Sequence, residues 1–112
     1  MNFKTLVCLV SALALGGIAP SCAEEMPQFN LTAKDGRFSP EKIEVPAGRK
    51  FRLVVKNEGP GPEEFESHEL NREKVVLAGK SVEVIIGPLK PGAYGFFGDF
   101  HPNTAKGQII AK

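Results

Sequence analysis

The 112-residue chain has no tryptophan, a single tyrosine and two cysteines, Cys8 and Cys22, both near its start. From residue 23 onward there is no thiol. This excludes a disulfide framework, a thiolate nucleophile and a thiolate metal ligand from the rest of the chain. Charge of one sign is also missing, since 14 Lys and Arg stand against 13 Asp and Glu, for a net charge of +1. A nucleic-acid-binding surface is built on a basic excess or stripe, and the sequence offers neither. Apolar periodicity at helical spacing never persists beyond about two turns, so no amphipathic helix is expected. There are no repeats, no low-complexity tract and no linker that would divide the chain, which reads as one domain.

The only long apolar run, Leu6–Ile18, follows Lys4 and is followed by Ser21-Cys22-Ala23. A short positive segment, an apolar stretch too short for a good membrane span and small residues at the cleavage positions make a secretory signal peptide. We expect residues 1–23 to be removed after Ala23, leaving residues 24–112 in the bacterial periplasm with no integral membrane segment. Ala19-Pro20-Ser21 lacks the large aliphatic residue expected three places before a lipidated cysteine, so lipidation of Cys22 is not expected. Once Lys4 is gone, basic and acidic residues balance.

What remains is rich in turn chemistry. Asp35-Gly36, Pro46-Ala47-Gly48, Gly59-Pro60-Gly61-Pro62, Ala78-Gly79, Gly87-Pro88 and Pro91-Gly92 punctuate the chain. Between them lie short runs of period two, the signature of half-buried strands. Phe29 and Leu31 bracket Asn30, and Ile43 and Val45 bracket Glu44. Phe51, Leu53 and Val55 alternate with more polar positions, as do Val82, Val84 and Ile86, and Gly107–Lys112 reads as a final strand. Short strands joined by turns at this spacing predict an all-β, antiparallel sandwich. The stretch from Glu64 to Lys74 is ambiguous: it reads as a strand through Phe65 followed by an irregular or single-turn excursion, with a short helix as the other option.

Two segments carry ligand-competent side chains. In the first, Glu63, Glu64, Glu66, Glu69 and Glu73 fall close together around His68, after a Gly/Pro-rich turn and with Phe65 and Leu70 as apolar anchors. Mutual repulsion among such carboxylates is relieved by a cation, although charge runs are commonly solvated faces. In the second, Tyr94-Gly95-Phe96-Phe97 leads into Gly98-Asp99-Phe100-His101-Pro102. On extended chain Asp99 and His101 point the same way. Carboxylate with imidazole suits first-row metals, whereas an Asp-x-His pair bonded to itself is the structural alternative.

The stretches Phe38-Ser39-Pro40, Ile43–Gly48 and Phe51–Asn57, with Pro88–Phe97, His101 and Gly107–Ile110, resemble the opening and closing halves of a cupredoxin. Glu64-Phe65-Glu66-Ser67 and Phe97–Pro102 narrow the resemblance to cupredoxin-like periplasmic proteins associated with bacterial iron permeases, similar to the cupredoxin domain of the imelysin-linked iron-uptake protein. The resemblance implies a single Greek-key β-sandwich. It also implies that the cysteine of a blue copper site falls on Gly98, its methionine at or near Lys106, its first histidine in the Glu63-Glu64 region and its second on His101. With one of four ligands retained, no type 1 blue copper centre is expected.

The expected metal ligands are Glu64, Glu66, Asp99 and His101, which the resemblance brings to one pole of the sandwich, with Glu69 and Glu73 as secondary ligands. Oxygen donors with one imidazole favour Cu(II), Fe(II) or Fe(III) over Cu(I). The resemblance implies a copper- and/or iron-binding accessory of iron uptake, assisting Fe(II) oxidation and delivering the ion to an inner-membrane iron permease or a periplasmic iron-binding protein. A copper carrier or buffer and a metal-free interaction module are the alternatives. No independent enzyme is expected: there is no nucleophile elbow and no second titratable pair outside the acidic segment.

Overall fold

The computed structural model describes residues 26–112. The expected signal peptide and both cysteines lie outside the described residues. Nine strands follow one another: β1 (Gln28–Lys34), β2 (Arg37–Ser39), β3 (Lys42–Val45), β4 (Phe51–Asn57), β5 (Glu63–Ser67), β6 (Arg72–Val76), β7 (Ser81–Ile86), β8 (Gly92–Gly98) and β9 (Lys106–Ala111). They form a four-stranded sheet in the order β2-β1-β4-β7 and a five-stranded sheet in the order β3-β9-β8-β5-β6.

The period-two runs become strands with one face in the core. In β4, Phe51, Leu53, Val55 and Asn57 are buried and the residues between them are not. In β5 the same alternation buries Glu63, Phe65 and Ser67 and turns Glu64 and Glu66 outward. Leu31, Leu53, Val55, Phe65, Val76 and Ile109 are fully excluded from water between the sheets. A three-ring cluster lies beneath the site described below: Phe96 contacts Phe38 and Phe65 at centroid separations of 5.5 and 5.4 Å. Edge-on and tilted rings at this range add about 0.5–1.5 kcal/mol each beyond area burial.

Two features depart from the sequence expectation. The sheets are mixed, with β1 parallel to β4 and β3 parallel to β9. The chain leaves the first sheet for β3 before returning as β4, so the returning strand runs in the direction of β1. The segment after Phe65 is neither helix nor irregular excursion. It is a hairpin in which β5 pairs with β6, from Glu63↔Val76 to Ser67↔Arg72. Asn71, at φ 54°, takes the left-handed conformation that closes its turn, one that asparagine tolerates better than most residues.

Candidate metal centre

Strand parity assembles the site. Glu64 and Glu66 alternate with buried Glu63, Phe65 and Ser67, so both carboxylates stand on the outer face of the five-stranded sheet. β5 also pairs with β8, Glu66 opposite Phe97 and Phe65 opposite Gly98. The residue after Gly98, Asp99, therefore emerges beside Glu64, and its N–H donates to the Glu64 carbonyl at 2.8 Å. One carboxylate oxygen each from Glu64, Glu66 and Asp99 lie within 4.8 Å of one another. Glu64 and Glu66 are half-buried and Asp99 is exposed.

Like charges this close oppose one another. The Glu64 carboxyl is raised above its ordinary value of 4.5, first by desolvation, then by the charges of Glu73, Asp99 and Glu66, and by a hydrogen bond shared with Asp99. Glu73 lies directly opposite Glu66 in the hairpin register, an arrangement that itself disfavours pairing. A cation placed among the three oxygens would oppose these effects, because a nearby positive charge favours the carboxylate form.

The other expected ligands are placed differently. His101 does not join the three carboxylates. Its Nδ1 lies 2.7 Å from Oε2 of Glu63, on the opposite side of β5. Glu69 Oε1 accepts the Gly95 N–H at 2.6 Å, which commits it to the backbone of β8. Glu73 shares the outer face and acts on Glu64 through its charge, without an oxygen in the close group. His68, at the centre of the acidic segment in sequence, follows Glu64 and Glu66 in phase. Its Nε2 is 3.0 Å from Glu66 Oε2, and its ring stands edge-on to Phe97 at 5.3 Å.

Glu63, grouped in the sequence with the acidic segment but not among the expected ligands, is buried. Its side chain is 4% exposed. Oε1 accepts the N–H groups of Glu64 and Phe100, each at 3.0 Å, while Oε2 meets His101. Gly98 makes room for it, because a Cβ there would lie 2.6 Å from the Glu63 carboxyl carbon. The available signal was parity: Glu63 is in phase with Phe65 and Ser67.

A shallow groove runs over β8 and β9, lined by Glu41, Lys42, His68, Glu69, Phe97 and Lys106 among others, and none of the three carboxylates lines it. The trio therefore lies outside that groove. No helix among the described residues is long and apolar enough to cross a membrane.

Residues 5–111 match the Cupredoxin-like domain family. The chain belongs to that family. It is 44% identical over 110 residues to an uncharacterized protein of Rickettsia prowazekii (strain Madrid E), covering 94% of this chain and 88% of that one. Among solved structures it is similar to auracyanin A, a "blue" copper protein of Chloroflexus aurantiacus. That match has a TM-score of 0.66 and 11% identity, over 79% of this chain and 100% of that one. It is likewise similar to the metal-binding domain of the Cu(I)-exporting P-type ATPase of Streptococcus pneumoniae D39, with a TM-score of 0.67 and 14% identity, over 82% and 91% of the two chains. At these identities the structural likeness carries the cupredoxin fold.

A blue copper centre does not fit this cupredoxin-like chain. The pole where the resemblance places the thiolate holds Gly98, the Glu63 carboxylate occupies the space beside it, and His101 Nδ1 is turned to that carboxylate. Among the described residues there is no cysteine to supply the sulfur that such a centre needs.

Proposed function

We propose that this cupredoxin-like chain is a periplasmic metal-binding protein whose ion sits on the outer face of the sandwich, held by Glu64, Glu66 and Asp99. The convergence of three carboxylate oxygens within 4.8 Å carries the reading. Oxygen donors of this kind suit Cu(II), Fe(II) and Fe(III), and disfavour Cu(I). The mutual repulsion of the ligands makes the ion-free site costly and thereby favours occupation by a cation.

Within that reading, the protein serves high-affinity iron uptake. It assists oxidation of Fe(II) to Fe(III) by dioxygen, before delivery to an inner-membrane permease or a periplasmic iron-binding protein. In that oxidation four Fe(II) give four electrons to one O2, and four protons are taken up to form two waters. The support is the resemblance carried by Glu64-Phe65-Glu66 and Phe97–Pro102, together with a donor set suited to both ions. Asp99, the exposed member of the cluster, leaves the ion accessible for hand-over.

Titration of the protein with Cu(II), Fe(II), Fe(III) and Zn(II), followed by Fe(II) oxidation in the presence of dioxygen and Cu(II), tests both levels. Binding of Cu(II) together with iron, and faster oxidation with the protein than without it, is the expected result. Copper binding with no gain in Fe(II) oxidation would instead make the protein a copper carrier or buffer. No binding of any of the four ions would leave a metal-free interaction module.

A further inference from the structure

Beside the carboxylate trio lies the one buried ionisable side chain among the described residues, Glu63. It opens β5 on the inner phase, where a core residue is expected, and its side chain is 4% exposed. A buried carboxylate is costly unless its oxygens are satisfied. Here they are satisfied by one structure, the turn between β8 and β9. Oε1 takes the Phe100 N–H at 3.0 Å and Oε2 meets His101 Nδ1 at 2.7 Å. The Glu64 N–H, also at 3.0 Å from Oε1, ties the same carboxylate to β5.

That turn carries Asp99. The His101 N–H donates to the Gly98 carbonyl at 2.9 Å, closing the turn around Asp99 and Phe100. Asp99 thus sits between a strand contact to the Glu64 carbonyl and a turn held from below by Glu63. Gly98 is required by the same arrangement, since a Cβ would lie 2.8 Å from each Glu63 oxygen. The strand contact alone fixes the Asp99 nitrogen. The two residues that follow Asp99 are the ones held by Glu63.

We propose that Glu63 is the positioning residue of the metal site: its carboxylate, seated in the space Gly98 leaves, holds the turn so that Asp99 meets Glu64 and Glu66. This inference rests on the metal-binding reading. It assigns His101 a role through Glu63 and not as a ligand. With Glu63 a carboxylate, which only accepts, the proton of their contact is carried by Nδ1.

The test uses protein expressed as the full chain, with Cu(II) as probe, in Glu63→Gln, Glu63→Ala and Gly98→Ala variants beside Glu64→Gln. Glutamine keeps an acceptor for the two N–H groups and offers its NH₂ to His101, so its Cu(II) affinity stays close to wild type. The His101 tautomer, read by ¹⁵N NMR in the metal-free protein, switches to Nε2–H. Glu63→Ala and Gly98→Ala leave every proposed ligand in place, yet each weakens Cu(II) binding by about tenfold or more, the scale of lost supporting contacts. The Cu(II) electron paramagnetic resonance (EPR) spectrum broadens into several species in both.

Unchanged affinity and spectrum in Glu63→Ala and Gly98→Ala would overturn the proposal. So would a Glu63→Gln protein as weak as Glu63→Ala, which would mark Glu63 as a ligand. If either severe variant does not fold, the glutamine variant decides through its affinity and its tautomer. Wild-type protein that binds no Cu(II), or binds it as well with Glu64→Gln, would sink the metal-binding reading and this inference with it. Loss in Glu64→Gln alone would sink only the inference.

Discussion

Glu64 is the residue on which the charge balance of the site turns. Its carboxyl is raised by desolvation and by Glu73, Asp99 and Glu66, so the fold favours its protonated form. A raised acid contributes stability that is full below its ordinary value of 4.5 and is lost as pH rises through the raised folded value. At neutral pH the ion-free protein therefore carries the repulsion. Glu64→Gln should raise the melting temperature of metal-free protein at pH 7, by an amount matching roughly 0.2–1 kcal/mol, the size of partly exposed charge interactions. The gain should vanish below pH 4. Calorimetry across that range checks both signs; a variant less stable at pH 7 would contradict the electrostatic account. Metal affinity should move the opposite way and fall on acidification, because protons compete for the same oxygens.

At the same scale, the sequence showed which residue types to examine and left their grouping open. Glu64 and Glu66 share a face by parity, and Asp99 joins them because β8 pairs with β5. His101 has the same spacing from Asp99 as Glu66 has from Glu64. The chain turns between Asp99 and His101, however, and a spacing rule for extended chain no longer applies there. Glu63 was hidden because a glutamate beside a glutamate reads as surface, when only strand phase separates the buried one from the exposed one.

Among elements, the β5–β6 hairpin bears the cost of the site. Glu66 and Glu73 face each other across it, and Glu73→Lys should turn a repulsive pair into an attractive one. The expected stabilisation of the metal-free protein is about 0.5–1 kcal/mol, with weaker Cu(II) binding, checked by urea unfolding and titration on one preparation. Asn57 holds the loop that delivers the chain into β5. Its Nδ2 donates to the Gly61 and Val76 carbonyls, both at 2.9 Å, and its Oδ1 accepts the Gly59 N–H at 2.7 Å. Asn57→Ala strands these buried groups and should cost about 2–4 kcal/mol, measured as a lower urea midpoint with unchanged slope. Strands with apolar alternation, such as β4 and β7, were legible in advance. β6 was not, because four of its five residues are exposed and its sequence, Arg-Glu-Lys-Val-Val, has no inward apolar residue before Val76. β2, three residues long, is too short to show a period.

For the whole molecule, alternation and turn chemistry sufficed for a two-sheet sandwich, while the parallel pairings of β1 with β4 and β3 with β9 depend on where the chain changes sheets, which period-two patterning does not encode. The chain has the cupredoxin fold, and Glu63 and His101 bond each other at the pole where the resemblance places a blue copper centre. The ligand-competent carboxylates stand on the outer face of the same five-stranded sheet. The most direct test is Cu(II) titration of the full chain at neutral pH, followed by absorption and EPR, against a Glu64→Gln, Asp99→Asn double variant. The account predicts a Cu(II) site with oxygen-dominated EPR parameters and no intense blue absorption in the wild type, and binding weakened by about tenfold or more in the double variant. Equal binding by both proteins, or an intense blue band, would contradict it.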